Sequence, residues 1–467
     1  MRLFRIALAL SVLPWVTLST GNFVNDTSSQ CGVSRYLRKP RLFVLIDLGN
    51  EPDDQMSLVR LLTYSNEIDI KGIAAVTSVW LKNTTNANTT RTILQAYGDV
   101  VHNLNSHVPT ESQFPSKETL LAKVTAGHPV YGTTALRLNL SDAAIRLIDE
   151  ADAASSVDPL YLAAWGGVNV LAEALNHVSK IRSEAELGTF VSHLRVYAIS
   201  DQDDAGIWVR ERYPKLFYVV SLHGFSMYNT ATWTGISGEN YYRFDQGGPD
   251  ESLVMNDWLQ RNIRLGQLGA YYPNFTNIME GDTPSFLPLV QNGLGDAEHP
   301  EWGSWGGRYG PMDTSAKSLV YSNTADVAIG IKNATYVSAQ ASIWRWREAY
   351  QNDFAARIGW TLSDVYEDGN HAPVVVVNGT CGPYSMNVPF EAGESIVLDA
   401  SSSWDPDNDD LSFRWFTYQE ISLSPFGQIY EFVTLETQDE KGAIVKATAD
   451  RAYVSLLLDH LRAGTFC

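Results

Sequence analysis

Cysteine is scarce in this sequence. The 467 residues contain three cysteines, Cys31, Cys381 and Cys467, and no two of them form a C-x-x-C pair. This spacing excludes a zinc site made from cysteine alone. An odd count leaves at most one disulfide and one free thiol. A bridge between Cys31 and Cys381 would tie the N-terminal segment to the C-terminal part of the chain, but spacing alone does not establish it.

Positive charge is also in short supply. The chain has 34 Lys and Arg residues against 53 Asp and Glu residues, a formal net charge of −19. Because such a surface repels phosphates and anionic lipids, we expect neither nucleic acid nor a membrane as a partner. Cations and neutral ligands such as sugars are compatible with this charge. Hydrophobic residues make up 45% of the chain, which excludes a wholly disordered protein.

Long hydrophobic runs are missing after the first twenty or so residues. A short basic start is followed by an apolar run over 6–18 and by small polar residues at 19–21. This layout is typical of a secretory signal peptide, with an uncleaved anchor as the alternative. Seven N-x-S/T sequons also favour a secreted, extracellular glycoprotein. They begin at Asn25, Asn83, Asn88, Asn139, Asn274, Asn333 and Asn378.

Apolar strands alternate with amphipathic helices over most of the chain. Residues 42–46 form a continuous apolar run, as expected of a parallel strand buried on both faces. Further strands are predicted at 70–76, 160–164, 195–199 and 217–222, and helices at 56–64, 93–104, 168–178 and 338–361. The alternation predicts an α/β fold with a doubly wound sheet, whose ligands bind at the carboxyl ends of the strands.

Short strands separated by turns follow a boundary at 365–373. They are predicted at 374–377, 395–398 and 411–416. The Asp-rich run over 398–411 resembles immunoglobulin-like modules of the polycystin and cadherin type, which are small β-sandwiches. Its Asp cluster would either bind calcium or form a polar turn. The predicted organisation is therefore a signal peptide at 1–20, an arm at 21–40, an α/β domain at 41–365 and a sandwich at 373–467 without a clear final strand pair.

The densest group of carboxylates directly follows the first strand. Asp47, Glu51, Asp53 and Asp54 fall within eight residues. Packing like charges so closely is costly unless a cation neutralises them. Oxygen ligands select calcium or magnesium over zinc, and a flexible mixed set favours calcium. The alternative is an acidic cap of the next helix, which accounts for one carboxylate better than for four.

Other candidate residues follow later strands. A carboxylate-rich run after 195–199 would contact sugar hydroxyls or cap the next helix; it contains Asp201, Asp203 and Asp204. His223, after 217–222, would serve as an acid or a structural residue. A glycine-interleaved run would expose rings for stacking on a sugar, or pack in the core; it contains Trp302, Trp305 and Arg308.

The run Asp47-Leu-Gly-Asn-Glu-Pro-Asp-Asp54 resembles the Asp-x-Asp-Pro-Gly-x-Asp-Asp run of the nucleoside hydrolases. The chain is still more similar to secreted cellulose-binding proteins that join a nucleoside-hydrolase-like domain to a C-terminal sandwich. This closer resemblance spans about residues 41–420 and is carried by the runs at 50–54, 280–284, 302–308 and 344–348. It implies the nucleoside-hydrolase fold and a calcium cofactor.

The resemblance also implies roles for individual residues. Asp53 would contact sugar hydroxyls, and calcium would be held by Asp47, Asn50, Asp54, Asp282 and the backbone carbonyl of Trp165. Two positions depart from the family pattern. The family's second Asp, a calcium ligand and the water-activating base, falls on Gly49, and its leaving-group His falls on Gly281. Asp47, Asn50 or Glu51 would have to supply the missing oxygen.

Two functions follow from these residues. The first is a secreted, calcium-dependent hydrolase of N-glycosidic or related sugar bonds, in which Asp47 or Glu51 activates water and His223 is a candidate acid. Its ligand would be a nucleoside or another sugar. The second is a non-catalytic protein that binds a carbohydrate such as cellulose. The retained carboxylates favour the first function, and the losses at Gly49 and Gly281 favour the second.

Overall fold

The computed structural model describes residues 31–32, 38–389, 393–421 and 433–449. The expected signal peptide, Asn25 and Cys467 lie outside the described residues. The chain divides into two compact units. The large unit comprises residues 36–290 and 296–370, and the small unit comprises residues 291–295, the C-terminal part from His371 and the N-terminal segment that contains Cys31. In the described part, no helix has both the length and the apolar character needed to span a bilayer.

The large unit is built on an eight-stranded sheet with the order β3-β2-β1-β4-β5-β6-β8-β7. The neighbouring strands pair in parallel, except for β7, which is antiparallel to β8. The strands are β1 (Arg41–Ile46), β2 (Asp69–Ala75), β3 (Val124–Ala126), β4 (Leu160–Ala164), β5 (Leu194–Ser200), β6 (Phe217–Ser221), β7 (Tyr309–Pro311) and β8 (Val320–Asn323). All six residues of β1 are buried, as its apolar run predicts.

Helices connect these strands and complete the unit. They are α1 (Asp53–Leu62), α2 (Ala87–Ser106), α3 (Lys117–Leu121), α4 (Asp142–Asp152), α5 (Asn169–Ile181), α6 (Glu184–Ser192), α7 (Ala205–Arg212), α8 (Glu239–Tyr242), α9 (Asn256–Asn262), α10 (Gly266–Gly269), α11 (Ala341–Trp344) and α12 (Arg347–Trp360). A hairpin of β9 (Asp326–Ile329) and β10 (Thr335–Ser338) precedes α11. The single helix predicted over 338–361 is thus two helices, divided at Arg345 and Trp346.

The strand order reverses its direction between β1 and β4. The chain runs outward from β1 through β2 to β3, and it then crosses back so that β4, β5 and β6 extend on the other side. The carboxyl ends of β1 and β4 therefore flank the switch point of the sheet, where α/β proteins form their ligand crevice. The α/β prediction is confirmed, and it directs attention to the residues that follow these two strands.

The small unit contains short antiparallel sheets, consistent with a β-sandwich. β11 (Val376–Val377) pairs with β12 (Thr380–Cys381), and β13 (Ser395–Asp399), β14 (Val433–Thr437) and β15 (Ile444–Ala449) form a sheet with the order β13-β15-β14. Cys381 forms a disulfide with Cys31. Residues 411–416, predicted as a strand, are not assigned as one, although Phe413 and Trp415 pack against the core of this unit.

The Asp-rich segment of the small unit forms a hydrogen-bonded turn. One carboxylate oxygen of Asp405 accepts the backbone N–H groups of Asp407 and Asp409, at 2.8 and 3.3 Å. Asp407 in turn accepts the backbone N–H of His371 and contacts its Nδ1 at 2.7 Å. These contacts favour the polar-turn interpretation of this segment over the calcium interpretation.

Candidate functional site

Three buried carboxylates meet at the switch point. Asp53 and Asp54 open α1, and Asp282 lies in the loop before residues 283–285. One carboxylate oxygen of each lies within 4.8 Å of the others. None of the described Lys and Arg side chains forms an ion pair with this carboxylate triad. Asp282 Oδ2 is buried without a hydrogen-bond partner. An orphaned anionic oxygen among like charges is the arrangement that a bound cation would satisfy.

Burial and mutual repulsion raise the pKa of each member of the triad. The pKa of Asp53 rises to about 8, mainly because its carboxyl is desolvated and then because of the charges of Glu51 and Asp47. Burial and the neighbouring carboxylates hold the pKa of Asp54 and of Asp282 well above its usual range. Burial and the neighbouring charges therefore disfavour simultaneous ionisation of the three groups unless a cation is bound. The donor set contains only oxygen, which suits a hard cation.

Asp47 lies beside the triad but outside it. Its backbone N–H donates to Asp54 Oδ1 at 3.1 Å, and the side chain of Ser78 hydrogen-bonds to its carboxyl group. Burial raises the pKa of Asp47 to about 6. A Cβ atom at Gly166, after β4, would lie 2.6 Å from Asp47 Oδ1. The two strand ends therefore approach each other closely enough that position 166 accepts only glycine without movement.

The predicted carbonyl ligand also lies at this end of β4, and a side chain already contacts it. The Gln202 amide donates to the Trp165 carbonyl oxygen, and the buried Trp165 ring donates from Nε1 to Ser285 Oγ at 2.8 Å. A carbonyl oxygen has two lone pairs, so the contact with Gln202 orients this group and leaves one acceptor position. No local pattern in the sequence indicates this contribution from Gln202.

The loop between β1 and α1 places its polar residues differently. Asn50 is exposed, and Glu51 is half-buried with its pKa raised by burial and by Asp47. Gly49 has a φ of +119°, and a Cβ there would collide with the Asn86 side chain. Asn86 holds the loop by donating to the Leu48 carbonyl. Neither Asn50 nor Glu51 belongs to the triad, so the oxygen missing at Gly49 is not replaced within it.

Gly281 stands where the resemblance implies the leaving-group His, and it is closely surrounded by side chains. A Cβ atom at this position would lie 2.7 Å from Asp53 Oδ2 and 3.0 Å from the Trp233 ring. A side chain at position 281 would therefore require the Asp53 carboxylate to shift. The backbone at Gly281 fills the space beside Asp53.

A buried ion pair fixes the two halves of the triad relative to each other. Arg60 of α1 donates from Nη2 to Glu280 Oε1 at 3.0 Å, and both side chains are fully buried. Tyr272 and Thr283 also donate to Glu280. This network ties the helix that carries Asp53 and Asp54 to the loop that carries Asp282. Sequence reasoning missed it, because nothing near Glu280 in the chain indicates a partner in α1.

His223 is engaged at both ring nitrogens. Its Nδ1 lies 2.8 Å from the Gly224 carbonyl, and its Nε2 lies 2.8 Å from Ser200 Oγ. Trp233 Nε1 donates to the same hydroxyl at 3.0 Å. Because a carbonyl oxygen only accepts, the ring donates from Nδ1 to Gly224. Both nitrogens therefore have partners within the protein, which favours the structural interpretation of His223 over the acid.

The carboxylates after β5 have partners of their own. Asp201 forms two hydrogen bonds with the Arg210 guanidinium, at 2.7 and 2.6 Å, and Asp204 accepts from the backbone and hydroxyl of Thr133. Asp203 accepts the backbone N–H of Ala205 through Oδ1, and burial raises its pKa to about 7. Its buried Oδ2 has no hydrogen-bond partner, so the contact with the start of α7 accounts for one of its two oxygens. The predicted sugar contacts of Asp201 and Asp204 are not supported, because these carboxylates hold the protein's own groups.

The predicted stacking residues lie in other surroundings. Trp302 stacks on His299 with ring centroids 3.9 Å apart. Nearby Glu298 accepts from Tyr161 and Arg195, which lie at the amino-terminal parts of β4 and β5. Arg308 pairs with the fully buried Asp326 at 2.6 Å. Trp302 thus lies at the amino-terminal ends of the strands, opposite the triad. Arg308 forms an internal ion pair. Trp305 lies in the turn between Ser304 and Gly307.

Comparisons with known proteins agree with the fold described above. Residues 41–309 match the family described as cellulose-binding Sde182, nucleoside hydrolase-like domain, and residues 395–459 match the C-terminal domain of cellulose-binding protein Sde0182. A solved nucleoside hydrolase-related protein from Saccharophagus degradans, described as associated with carbohydrate metabolism, is 31% identical. That match covers 89% of this chain and 92% of the other, with a TM-score of 0.70. No curated protein matches.

Two further solved structures show weaker global similarity. The plant nucleoside hydrolase PpNRh1 is 14% identical over 69% of this chain and 99% of its own, with a TM-score of 0.34. The effector protein XOO4466 is 11% identical over 70% of this chain and 95% of its own, with a TM-score of 0.35. The family match spans more than half of the sequence. The chain therefore belongs to the family of cellulose-binding Sde182 proteins with a nucleoside-hydrolase-like domain.

Proposed function

We propose that this protein binds a neutral carbohydrate through a calcium ion held by Asp53, Asp54 and Asp282, and that it does not hydrolyse its ligand. The observation that carries the proposal is the carboxylate triad, which is buried, has no cationic partner among the described residues and leaves Asp282 Oδ2 unsatisfied. The family's description as cellulose-binding supports a glucan as the ligand.

The residues around the triad fit such a role. When bound, calcium would supply open coordination positions for neighbouring sugar hydroxyls, because it accepts six to eight oxygen ligands. Asp47 would accept a hydrogen bond from a ligand hydroxyl beside the metal. The Trp165 carbonyl, oriented by Gln202, would complete the oxygen set. Asp47, Asp53, Asp54 and Trp165 follow β1 and β4 at the switch point, which is where ligands bind in this class of fold.

Three features argue against turnover. The position of the family's base is Gly49, which packs beside Asn86. The position of the leaving-group acid is Gly281, which packs against Asp53. His223, the remaining candidate acid, has both ring nitrogens within hydrogen-bond distance of Gly224 and Ser200. A leaving group with a high pKa needs a proton from such an acid, and these residues do not offer one.

A calcium-dependent hydrolase of N-glycosidic bonds is the second candidate. The observation that favours it is Asp47, a buried carboxylate placed directly beside Asp54. Asp47 would take the proton of a water molecule as that water attacks the anomeric carbon, and the bond to the leaving group would break. Only a leaving group that departs without protonation would suit this arrangement.

Secretion and glycosylation are part of the proposal. The signal-like N-terminus supports export, and the sequons support N-linked glycans. The six sequon asparagines in the described part are all exposed, as an acceptor site requires: Asn83, Asn88, Asn139, Asn274, Asn333 and Asn378.

The experiment combines binding and turnover. Retention on insoluble cellulose and titration with cellohexaose are measured in calcium and in a chelator, for the native chain, Asp54→Asn and the control Asp99→Asn. Asp99 is an exposed carboxylate on α2. We expect chelation and Asp54→Asn to abolish binding, and Asp99→Asn to have no effect. No sugar should be released from a panel of nucleosides and glycosides.

Two outcomes would overturn the proposal. Binding that is insensitive both to chelation and to Asp54→Asn would remove the metal site from the function. Release of sugar by the native chain, lost in Asp54→Asn and kept in Asp99→Asn, would establish the hydrolase instead.

A further inference from the structure

An exposed group of aromatic side chains lies next to the carboxylate triad. Trp80 follows β2, and Phe225 and Tyr228 follow β6. The side chain of Phe225 is 75% exposed and that of Trp80 is 42% exposed. Large apolar rings gathered on a surface mark an interaction site more often than single exposed residues do. We call these three residues the aromatic ledge.

The rings of the ledge support one another. Trp80 and Phe225 have centroids 6.2 Å apart and planes inclined by 27°. Trp80 Nε1 donates to the Tyr228 hydroxyl at 3.1 Å, and the two ring centroids are 6.2 Å apart. Tyr228 also packs edge-on against His223 at 5.0 Å. The network places apolar ring faces beside a phenol oxygen, a combination that suits a ligand with both apolar faces and hydroxyl groups.

Two chains of contacts connect the ledge to the triad. The Ser78 hydroxyl accepts the backbone N–H of Trp80 at 3.1 Å, and the same side chain hydrogen-bonds to Asp47. On the other side, Tyr228 packs against Trp233 with centroids 5.8 Å apart. The Trp233 ring borders Gly281, where a Cβ would meet both this ring and Asp53. The ledge is therefore the outer continuation of the site and not a separate patch.

We propose that the ledge binds a second sugar ring of a neutral β-linked glucan whose first ring sits at the triad. This inference rests on the proposed function and extends it from a single sugar to a chain. A glucose ring presents its apolar C–H groups on its faces and its hydroxyls around its edge, which matches ring faces beside the Tyr228 hydroxyl. The acidic site next to the ledge disfavours an anionic polysaccharide.

The exposure of the ledge favours a chain over a nucleobase. Sites for small ligands enclose most of the ligand surface. Phe225 remains three-quarters exposed, so a ligand on it keeps one face in solvent. A polymer lying across the surface is compatible with one exposed face, because its next ring continues outward into solvent.

The test compares a one-ring ligand with a long one. Methyl β-glucoside, cellohexaose and a nucleoside are titrated in calcium against the native chain, Trp80→Ala, Phe225→Ala and Asp54→Asn. Trp302→Ala is the matched control, since Trp302 lies at the opposite edge of the sheet. We expect each ledge variant to bind cellohexaose about tenfold more weakly, while its affinity for methyl β-glucoside is unchanged. Trp80→Phe keeps a ring and should recover most of the affinity for cellohexaose.

The outcomes separate this inference from the proposed function. If Asp54→Asn abolishes binding of both ligands while the ledge variants keep full affinity for cellohexaose, the ledge proposal fails and the metal site stands. If the native chain binds neither ligand, the proposed function fails and the ledge proposal fails with it. If the ledge variants weaken binding of a nucleoside and not of cellohexaose, the ledge is a nucleobase platform. Unchanged melting temperatures of the variants exclude misfolding as the cause.

Discussion

Glu280 and Asp282 are both buried acids, two positions apart, and their carboxylates differ in the partners they have. Glu280 receives the Arg60 guanidinium and the hydroxyls of Tyr272 and Thr283. Asp282 faces Asp53 and Asp54 and keeps a buried oxygen without a partner. One acid is neutralised by the protein itself, and the other is surrounded by charges of its own sign.

Two other buried acids of the large unit are neutralised by arginine in the same way as Glu280. Glu67 pairs with Arg357, and the fully buried Asp326 pairs with Arg308 and Arg345. In these three cases an arginine neutralises a buried carboxylate. The triad has no such pair within the described residues, and it brings three buried carboxylates within 4.8 Å of one another. We therefore expect a ligand to supply the neutralising charge there.

The largest expected effect comes from breaking the structural pair. Arg60→Met leaves Glu280 as an unpaired buried charge, which costs about 3–5 kcal/mol of the free energy of unfolding. The loss should be present in chelator and at least as large in calcium, because Arg60 stabilises the fold without the metal and also holds the two halves of the triad together. Chemical denaturation of both variant and native chain measures it. A loss below about 1 kcal/mol would show that the pair is not structural.

Substituting Asp282 should change the free energy of unfolding in chelator in the opposite direction to Arg60→Met. Asp282→Asn removes one of the like charges and keeps the shape of the side chain. In chelator, the free energy of unfolding of this variant should therefore be higher than that of the native chain. The same variant should lose the stabilisation by calcium. A decrease of stability in chelator, comparable to that of Arg60→Met, would place Asp282 in the same structural class as Glu280.

Calcium removal is the next effect in size. A ligand present at about one hundred times its dissociation constant stabilises the folded state by about 2.7 kcal/mol. The native chain and Asp99→Asn should show a rise of this order on adding calcium, measured as a shift of the denaturation midpoint. Asp54→Asn and Asp282→Asn should show none. Equal shifts in all four proteins would mean that calcium binds elsewhere.

The sequence predicted the fold well, because buried parallel strands have a simple signature. The strand predicted over 160–164 matches β4 residue for residue, and the run over 42–46 lies within β1. Carboxyl ends of such strands share one edge of the sheet, so the place of the site followed from the strands. The resemblance to a known family then implied Asp54 and Asp282 as metal ligands, with Asp47 and Asn50, and Asp53 as a sugar contact. The structure brings Asp53, Asp54 and Asp282 together.

The sequence could not distinguish a paired acid from an unpaired one. Glu280 and Arg60 are 220 positions apart, and only the folded chain joins them. The same reason hid the aromatic ledge, whose members follow β2 and β6. It also left open whether Trp302 and Arg308 stack on a sugar or pack in the core, because glycine-interleaved tryptophans look alike at either end of the strands of a sheet. Local patterns predict elements, whereas partners depend on packing between distant segments.

The smallest expected effect concerns the backbone next to Asp282. Gly281→Ala would place a Cβ 2.7 Å from Asp53 Oδ2, so the carboxylate must shift within the triad. We expect the affinity for calcium to fall about tenfold, or about 1.4 kcal/mol, as measured by calcium titration. Gly188→Ala is the matched control, since no described atom lies within 4 Å of a Cβ at that position of α6. Alanine there should stabilise the helix by about 0.5–1 kcal/mol and leave calcium affinity unchanged.

The same position tests why the family's acid is absent. If the family's His were merely missing at position 281, Gly281→His would restore an acid beside the ligand and produce sugar release. The contacts with Asp53 and Trp233 predict a different result, in which the imidazole displaces Asp53 and the variant loses calcium binding without gaining turnover. Turnover in Gly281→His with calcium affinity intact would mean that the loop has room to adjust. The triad would then be a hydrolase site that lacks one residue, and its distinction from Glu280 would lie in catalysis and not in binding alone.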